Sequence, residues 1–116
     1  MTPDELATLC LSLPKAIETY PFGEQTTVFK TSGNDKMFAL SVLDAEPFKV
    51  SLKCDPEESR ALQEEYPELI TPGYHLNKKH WITVLLDGQL EGSLVEQLVR
   101  DSHALVRPKV PRAPRS

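Results

Sequence analysis

The sequence predicts an α+β fold, a two-layer sandwich. An antiparallel five-stranded sheet carries helices on one face, in the order α-β-β-β-α-β-β-α. Three observations predict it. Phe48, Val50, Leu52 and Cys54 alternate strictly with Lys49, Ser51 and Lys53, a period of two that demands a sheet with one buried and one solvated face. Helix-start signals recur at Thr2, Asp55 and Ser93, each ahead of an amphipathic stripe. Short turn-rich segments separate the β-branched runs, so neighbouring strands are joined as hairpins and the helices collect on one side.

Taken in order, Thr2-Pro3-Asp4-Glu5 opens the first helix. Thr2 can cap, Pro3 suits the first helical position because its missing N–H has no partner there, and Glu5 completes a capping box. Leu6, Leu9, Cys10 and Leu13 give the apolar stripe, and Pro14 ends it. The turn Tyr20-Pro21-Phe22-Gly23 reads as a plug over the core edge. Thr26–Thr31 and Lys36–Leu43 form a hairpin across Ser32-Gly33-Asn34-Asp35, and the Phe48–Cys54 strand follows. Asp55-Pro56-Glu57-Glu58 repeats the logic of the first helix start and leads into Ala61, Leu62 and Tyr66. Tyr74–Leu76 and His80–Leu86 are expected to pair across Asn77-Lys78-Lys79. Ser93 and Glu96 form a second capping box before a wide stripe of Leu94, Leu98, Leu105 and Val106. Pro108, Pro111 and Pro114 forbid further helix, which divides the chain into a domain over 1–107 and an extended Pro/Arg-rich tail over 108–116.

The 116 residues fit one domain, with 40% hydrophobic and 26% charged residues, an ordinary globular composition. No apolar run approaches the roughly 18 residues that span a bilayer, and the first residues lack a secretory pattern. A cytoplasmic location is expected, with Cys10 and Cys54 as reduced, buried thiols. The net charge is −4 and unevenly spread. Without Arg107, Lys109, Arg112 and Arg115, nine basic residues face seventeen acids, which leaves −8 for residues 1–106. That balance argues against a binder of polyanions over its whole surface.

Catalytic signatures are missing. There is no glycine-rich phosphate loop, nucleophile elbow or metalloprotease helix motif. His75 and His80 have no cysteine or acid close in sequence to complete a metal set, and the carboxylates sit at helix starts and on solvated faces. The expectation is a protein without catalytic residues, metal or cofactor. The binding candidates lie on the open sheet face and in the segment from Pro72 to Trp81. Alternation aims His80 at the core and Trp81 outward, beside Lys30, Lys49 and Lys53. Together with His75, Asn77, Lys78 and Lys79 these residues form the candidate site. Cations around an aromatic platform suit phosphate and base stacking, worth about 1–3 kcal/mol per base. They suit a protein partner equally well, because tryptophan anchors many interfaces.

Five segments carry a family resemblance: Tyr20-Pro21-Phe22-Gly23, Val28-Phe29-Lys30, Lys36–Leu40, Leu52–Glu57 and, most specifically, Pro72-Gly73-Tyr74-His75-Leu76-Asn77-Lys78-Lys79-His80-Trp81. In these the chain resembles the MmcQ/YjbR-like family of small bacterial proteins, from the first helix to about Val106. The resemblance implies a fold like that of secretion chaperones and frataxin-like proteins, and a "double wing" DNA-binding role. Iron binding does not carry over, because the first helix offers Asp4 and Glu5 but no long acidic ridge. Two functions follow as expectations. One is a DNA-binding protein that uses the hairpin and the sheet lysines. The other is a protein-binding or chaperone-like module that uses the same sheet face.

Overall fold

The computed structural model describes residues 1–73 and 76–107. Within them the order is α1 (Pro3–Leu11), β1 (Ala16–Thr19), β2 (Thr26–Thr31), β3 (Lys36–Val42), β4 (Lys49–Lys53), α2 (Pro56–Glu65), β5 (Ile70–Pro72), β6 (Trp81–Leu85) and α3 (Gly92–Val106). The α+β class stands, but the described sheet has six strands, ordered β1-β2-β3-β4-β6-β5 and antiparallel throughout.

Local signals place two helix starts as expected. The Thr2 hydroxyl accepts from the Glu5 N–H while the Glu5 carboxylate accepts from the Thr2 N–H, a complete capping box with Pro3 beside it. The Asp55 carboxylate accepts from the N–H groups of Glu57 and Glu58. Elsewhere tertiary pairing overrides the local pattern. The four-residue strand β1 escapes a periodicity reading because it is short and mostly exposed. Among the described residues β6 pairs at this edge with Ile70–Pro72: Ile70 lies opposite Val84 and is fully buried. Of the expected strand, Tyr74 and His75 lie outside the described residues, and Leu76 is not in a strand. The last helix starts one residue early, at Gly92, with Glu91 at its cap and no side-chain cap bond. Glu96 is drawn instead to Arg100, one turn on, at 2.8 Å. The expected tail at 108–116 also lies outside the described residues.

The core fills the space between the sheet and its helices. Val50, Leu52, Ile82 and Val84 point into it from β4 and β6, with Leu6, Cys10, Val95, Leu98 and Val99 facing them from α1 and α3. Leu105, expected on the apolar stripe, is 51% exposed. Its place is taken by Ser102 and His103, both buried.

A β-bulge explains that exchange. Between Phe29 and Lys30 the β2–β3 register shifts so that Phe38 is the extra residue. The Phe38 ring packs edge-on against His103, 5.1 Å between centroids. The β3–β4 ladder stops at Ala39 opposite Leu52. Ser102 supplies what would have been its next step: its Oγ donates to the Phe38 carbonyl at 2.5 Å and accepts the Lys53 N–H at 2.8 Å. His103 Nε2 lies 2.8 Å from the Pro14 carbonyl, which ties α3 to the connection between α1 and β1. At the helix C-terminus Asn34 Nδ2 donates to the Val106 carbonyl at 2.7 Å, so the β2–β3 turn caps α3.

Candidate functional site

The face of the sheet away from the helices is built by strand alternation. Residues directly opposite one another share a face, and the register Leu40–Ser51–Thr83–Thr71 runs across β3, β4, β6 and β5 on this side. The face is not the evenly wet surface that alternation predicts. Ser51, Thr83 and Val28 are buried, and Val28 stands apart from the main core cluster. The reason is that loop residues rise beside the sheet and turn its centre into a groove of about 700 Å³. Leu40, Val42 and the four hydroxyl residues Thr26, Ser51, Thr71 and Thr83 line it from the sheet. Phe22, Pro47 and Leu76 line it from the loops, and Pro72 from the end of β5. Glu46 and Lys49 are its two charged lining residues.

Phe22 decides the character of this groove. The Tyr20–Gly23 turn does not plug the core edge: Phe22 is 72% exposed and Tyr20 and Pro21 are exposed beside it. An aromatic ring left in water at the rim of an apolar groove is an arrangement that typically marks an interaction site.

The expected basic patch is divided, and acids interleave with it. Lys30 lies on the open face but pairs with Asp35 at 3.5 Å. Lys49 shares the groove wall with Glu46. Lys53, opposite Trp81, also borders a cleft with Asp55, Glu58 and Asp101. Lys78 and Lys79 belong to neither group. Their turn sits against α2, where they line a shallow cleft with Arg60 and Glu64. The positions of charged groups from separate elements are not encoded in any one segment, which is why the sequence suggested a single patch.

The described residues of the Pro72–Trp81 stretch make specific backbone contacts. The Asn77 side chain accepts from the Lys79 N–H at 2.9 Å and so fixes the turn. His80 lies in that turn, not in the strand, and is half-buried instead of pointing into the core. Its backbone does the pinning: the N–H donates to Asn77 O, and the carbonyl accepts from Cys54 N–H at 2.8 Å. Trp81 is half-buried and does not line the groove; Gly73 packs against its backbone and Cβ. His75 lies outside the described residues.

No group of three metal-ligating side chains exists among the described residues. Both thiols are free and buried. Burial pushes the Cys10 thiol up to about 12. Burial, then the charges of Glu58, Asp55 and Asp101, pushes the Cys54 thiol up to about 11. A neutral thiol is a poor nucleophile at neutral pH. The Glu58 carboxyl is also held above the usual range, by burial first and then by Asp101 and Asp55. The folded protein therefore holds this proton more tightly than the unfolded chain, so the ionised group opposes folding at neutral pH and the opposition fades as pH falls through the raised value. Glu58→Gln is expected to raise stability slightly at pH 7, within the roughly 0.5 kcal/mol usual for surface changes. Urea titrations at pH 7 and pH 4 check this, and the gain should shrink at the lower pH.

Sequence reasoning missed Phe22, Leu40, Val42 and Pro47 as groove residues. Leu40 and Val42 carried a usable signal, because they sit in the phase opposite to Ala39 and Ser41 on a strand expected to have a polar outer face.

Comparison with known proteins agrees with this architecture. A family model described as YjbR matches residues 11–105. The chain is 44% identical over 99 residues to the uncharacterised protein YbdF of Escherichia coli O157:H7, covering 84% of this chain and 78% of that one. It is 35% identical over 103 residues to the uncharacterised protein YjbR of Escherichia coli K12, covering 89% and 85%. The crystal structure of a Deinococcus radiodurans protein superposes with a TM-score of 0.85 at 44% identity, over 90% of this chain and 77% of that one. A Pseudomonas syringae crystal structure gives 0.80 at 29% identity, over 92% and 100%.

Proposed function

Because the chain belongs to the YjbR family, whose relatives above carry no described activity, we propose from its own geometry that it is a non-catalytic, chaperone-like module that binds an apolar segment of a protein partner on its open sheet face. The single observation that carries this reading is the groove flanked by Phe22, Leu40, Val42, Pro47, Pro72 and Leu76. Its walls are apolar, and the accessible hydroxyls of Thr26 and Thr71 at its floor can bond a peptide backbone without selecting a charge. Burying one large side chain in such a groove contributes about 1.5–3 kcal/mol.

A second reading, contact with DNA, is favoured by a different observation: Arg60, Lys78 and Lys79 share one cleft. It ranks below the first. Glu64 lies in the same cleft, and the sheet lysines that would extend the contact are interleaved with acids.

The test uses Phe22→Ser and Val42→Glu in the full chain, compared with wild type for proteins captured from a lysate of the source organism and quantified by mass spectrometry. A specific partner should fall at least about tenfold in apparent affinity, equivalent to 1.4 kcal/mol, while both variants keep the wild-type melting temperature to within a few degrees. Capture that is identical for wild type and variants would overturn the reading. A mobility-shift titration at two salt concentrations runs alongside. DNA binding that falls steeply with salt and is lost in Lys78→Ala/Lys79→Ala would establish the second reading instead.

A further inference from the structure

A second cleft, on the helix side of the sheet, is both apolar and acidic. It encloses about 320 Å³ between the first turn of α2 and the last half of α3. Leu98, Ala104 and Leu105 form its apolar wall; Asp55, Glu58 and Asp101 stand round it. Leu105 is half in solvent, an exposed leucine at the end of a helix stripe. None of the three acids has a countercharge among the described residues. Asp55 accepts from two backbone N–H groups of α2, and Asp101 accepts from Gln97. Among the described residues the ion pairs are Lys30–Asp35 and Arg100–Glu96, so none of the three is paired, and Lys53 borders the cleft without pairing to them. The Glu58 carboxyl is held above its usual range by burial first and then by the charges of Asp101 and Asp55.

The chain carries the complement to this cleft directly after it. From Arg107 to Ser116 there are four cations, Arg107, Lys109, Arg112 and Arg115, no acid, and one large apolar residue, Val110. The segment leaves α3 at Val106, one residue past Leu105. Asp101 lies about 8 Å back along the helix axis at 1.5 Å per residue. The six residues from Arg107 to Arg112 can span up to about 20 Å, which is enough to turn back over the last two turns of α3. Length, sign of charge and point of departure all agree.

We infer that this cleft is the docking site of the chain's own Lys109–Arg115 segment. The segment's cations are the charge complement of Asp101, Glu58 and Asp55, and its valine is the apolar complement of Leu98 and Leu105. Docking sets these cations beside the acids and withdraws them from competition for external polyanions. The interaction is intramolecular, so it is independent of protein concentration, and it is electrostatic, so it weakens as salt rises.

The test is paramagnetic broadening in the isotope-labelled full chain carrying Ser116→Cys with a nitroxide label, made at neutral pH where Cys10 and Cys54 stay protonated. Amide signals of Glu58, Asp101 and Ala104 should be broadened and should return when the label is reduced. The broadening should be lost in Glu58→Gln/Asp101→Asn, lost in Lys109→Gln/Arg112→Gln/Arg115→Gln, and lost in about 1 M salt, where the screening length is only about 3 Å. The tail variant changes no residue of the folded body, so it remains informative if the cleft variant misfolds. Absence of broadening in the parent chain overturns the inference. So does broadening that survives neutralisation, or broadening seen only in an unlabelled copy mixed with the spin-labelled one.

Discussion

Replacing Ser102 by alanine is expected to destabilise the protein by about 2–4 kcal/mol, although it removes a single oxygen from a helix. That oxygen is fully buried and bonded on both sides, donating to the Phe38 carbonyl and accepting the Lys53 N–H. Alanine fits the space, so the loss is not one of packing. It strands a buried backbone acceptor on β3 and a part-buried backbone donor on β4, and a stranded buried group costs about 1–3 kcal/mol. The two costs do not add fully because the strands can close slightly. Ser93→Ala, at an exposed position of the same helix, is the matched control and should stay within about 0.5 kcal/mol. Urea denaturation separates the two: the midpoint for Ser102→Ala should fall with the m-value unchanged, since the same surface is exposed on unfolding. A loss below about 1 kcal/mol would mean that the β3–β4 ladder closes over the gap unaided.

Ser102 also shows where the sequence stops being informative. Features encoded within four residues were legible: Thr2 with Glu5 and Asp55 with Pro56 define their helices by local hydrogen bonds alone. The strict alternation of Phe48–Cys54 found β4 because a strand with one buried face must show it. What failed depends on a partner remote in sequence. Ser93 and Glu96 have the spacing of a capping box, yet packing starts α3 at Gly92 and leaves Glu96 to Arg100. Leu105 has the stripe's phase, but the bulge at Phe38 turns Ser102 and His103 inward instead. The site followed the same division. The lysines were identifiable by type, and their separation was not, because Lys30 meets Asp35 across a turn while Lys78 and Lys79 share a cleft with Arg60 and Glu64 of α2. The groove was visible only in the apolar phase of Leu40 and Val42. Phe22 completes it from a loop whose position no period describes.

Gly73→Ala is the sharpest test of whether the Pro72–Trp81 segment is a binding site or a scaffold, and it is expected to cost about 1–3 kcal/mol, the range of overpacking in a close-fitted site. A β-carbon on Gly73 would sit 2.6 Å from Trp81 Cβ, 3.1 Å from the Trp81 carbonyl oxygen and 3.2 Å from its carbon. None of these three atoms moves with a side-chain rotamer, so relief requires a backbone shift. The backbone there is already committed: the Gly73 N–H donates to that same Trp81 carbonyl at 2.9 Å, next to the Pro72–Ile82 pair that ends β5. The glycine is therefore required by proximity, not by a left-handed dihedral. This origin has a signature in a double-mutant cycle. Trp81→Ala keeps the β-carbon and should not relieve Gly73→Ala, whereas Trp81→Gly removes it and should offset part of the cost, giving a coupling of opposite sign within the 0.5–3 kcal/mol found for residues in contact. If Gly73→Ala leaves stability unchanged but abolishes partner capture, the segment is itself the binding surface and the groove beside it is not. If stability falls while the Phe22→Ser variant alone loses the partner, the glycine and the tryptophan serve to seat β5 on β6. Function then passes to the apolar walls that those two strands hold in place.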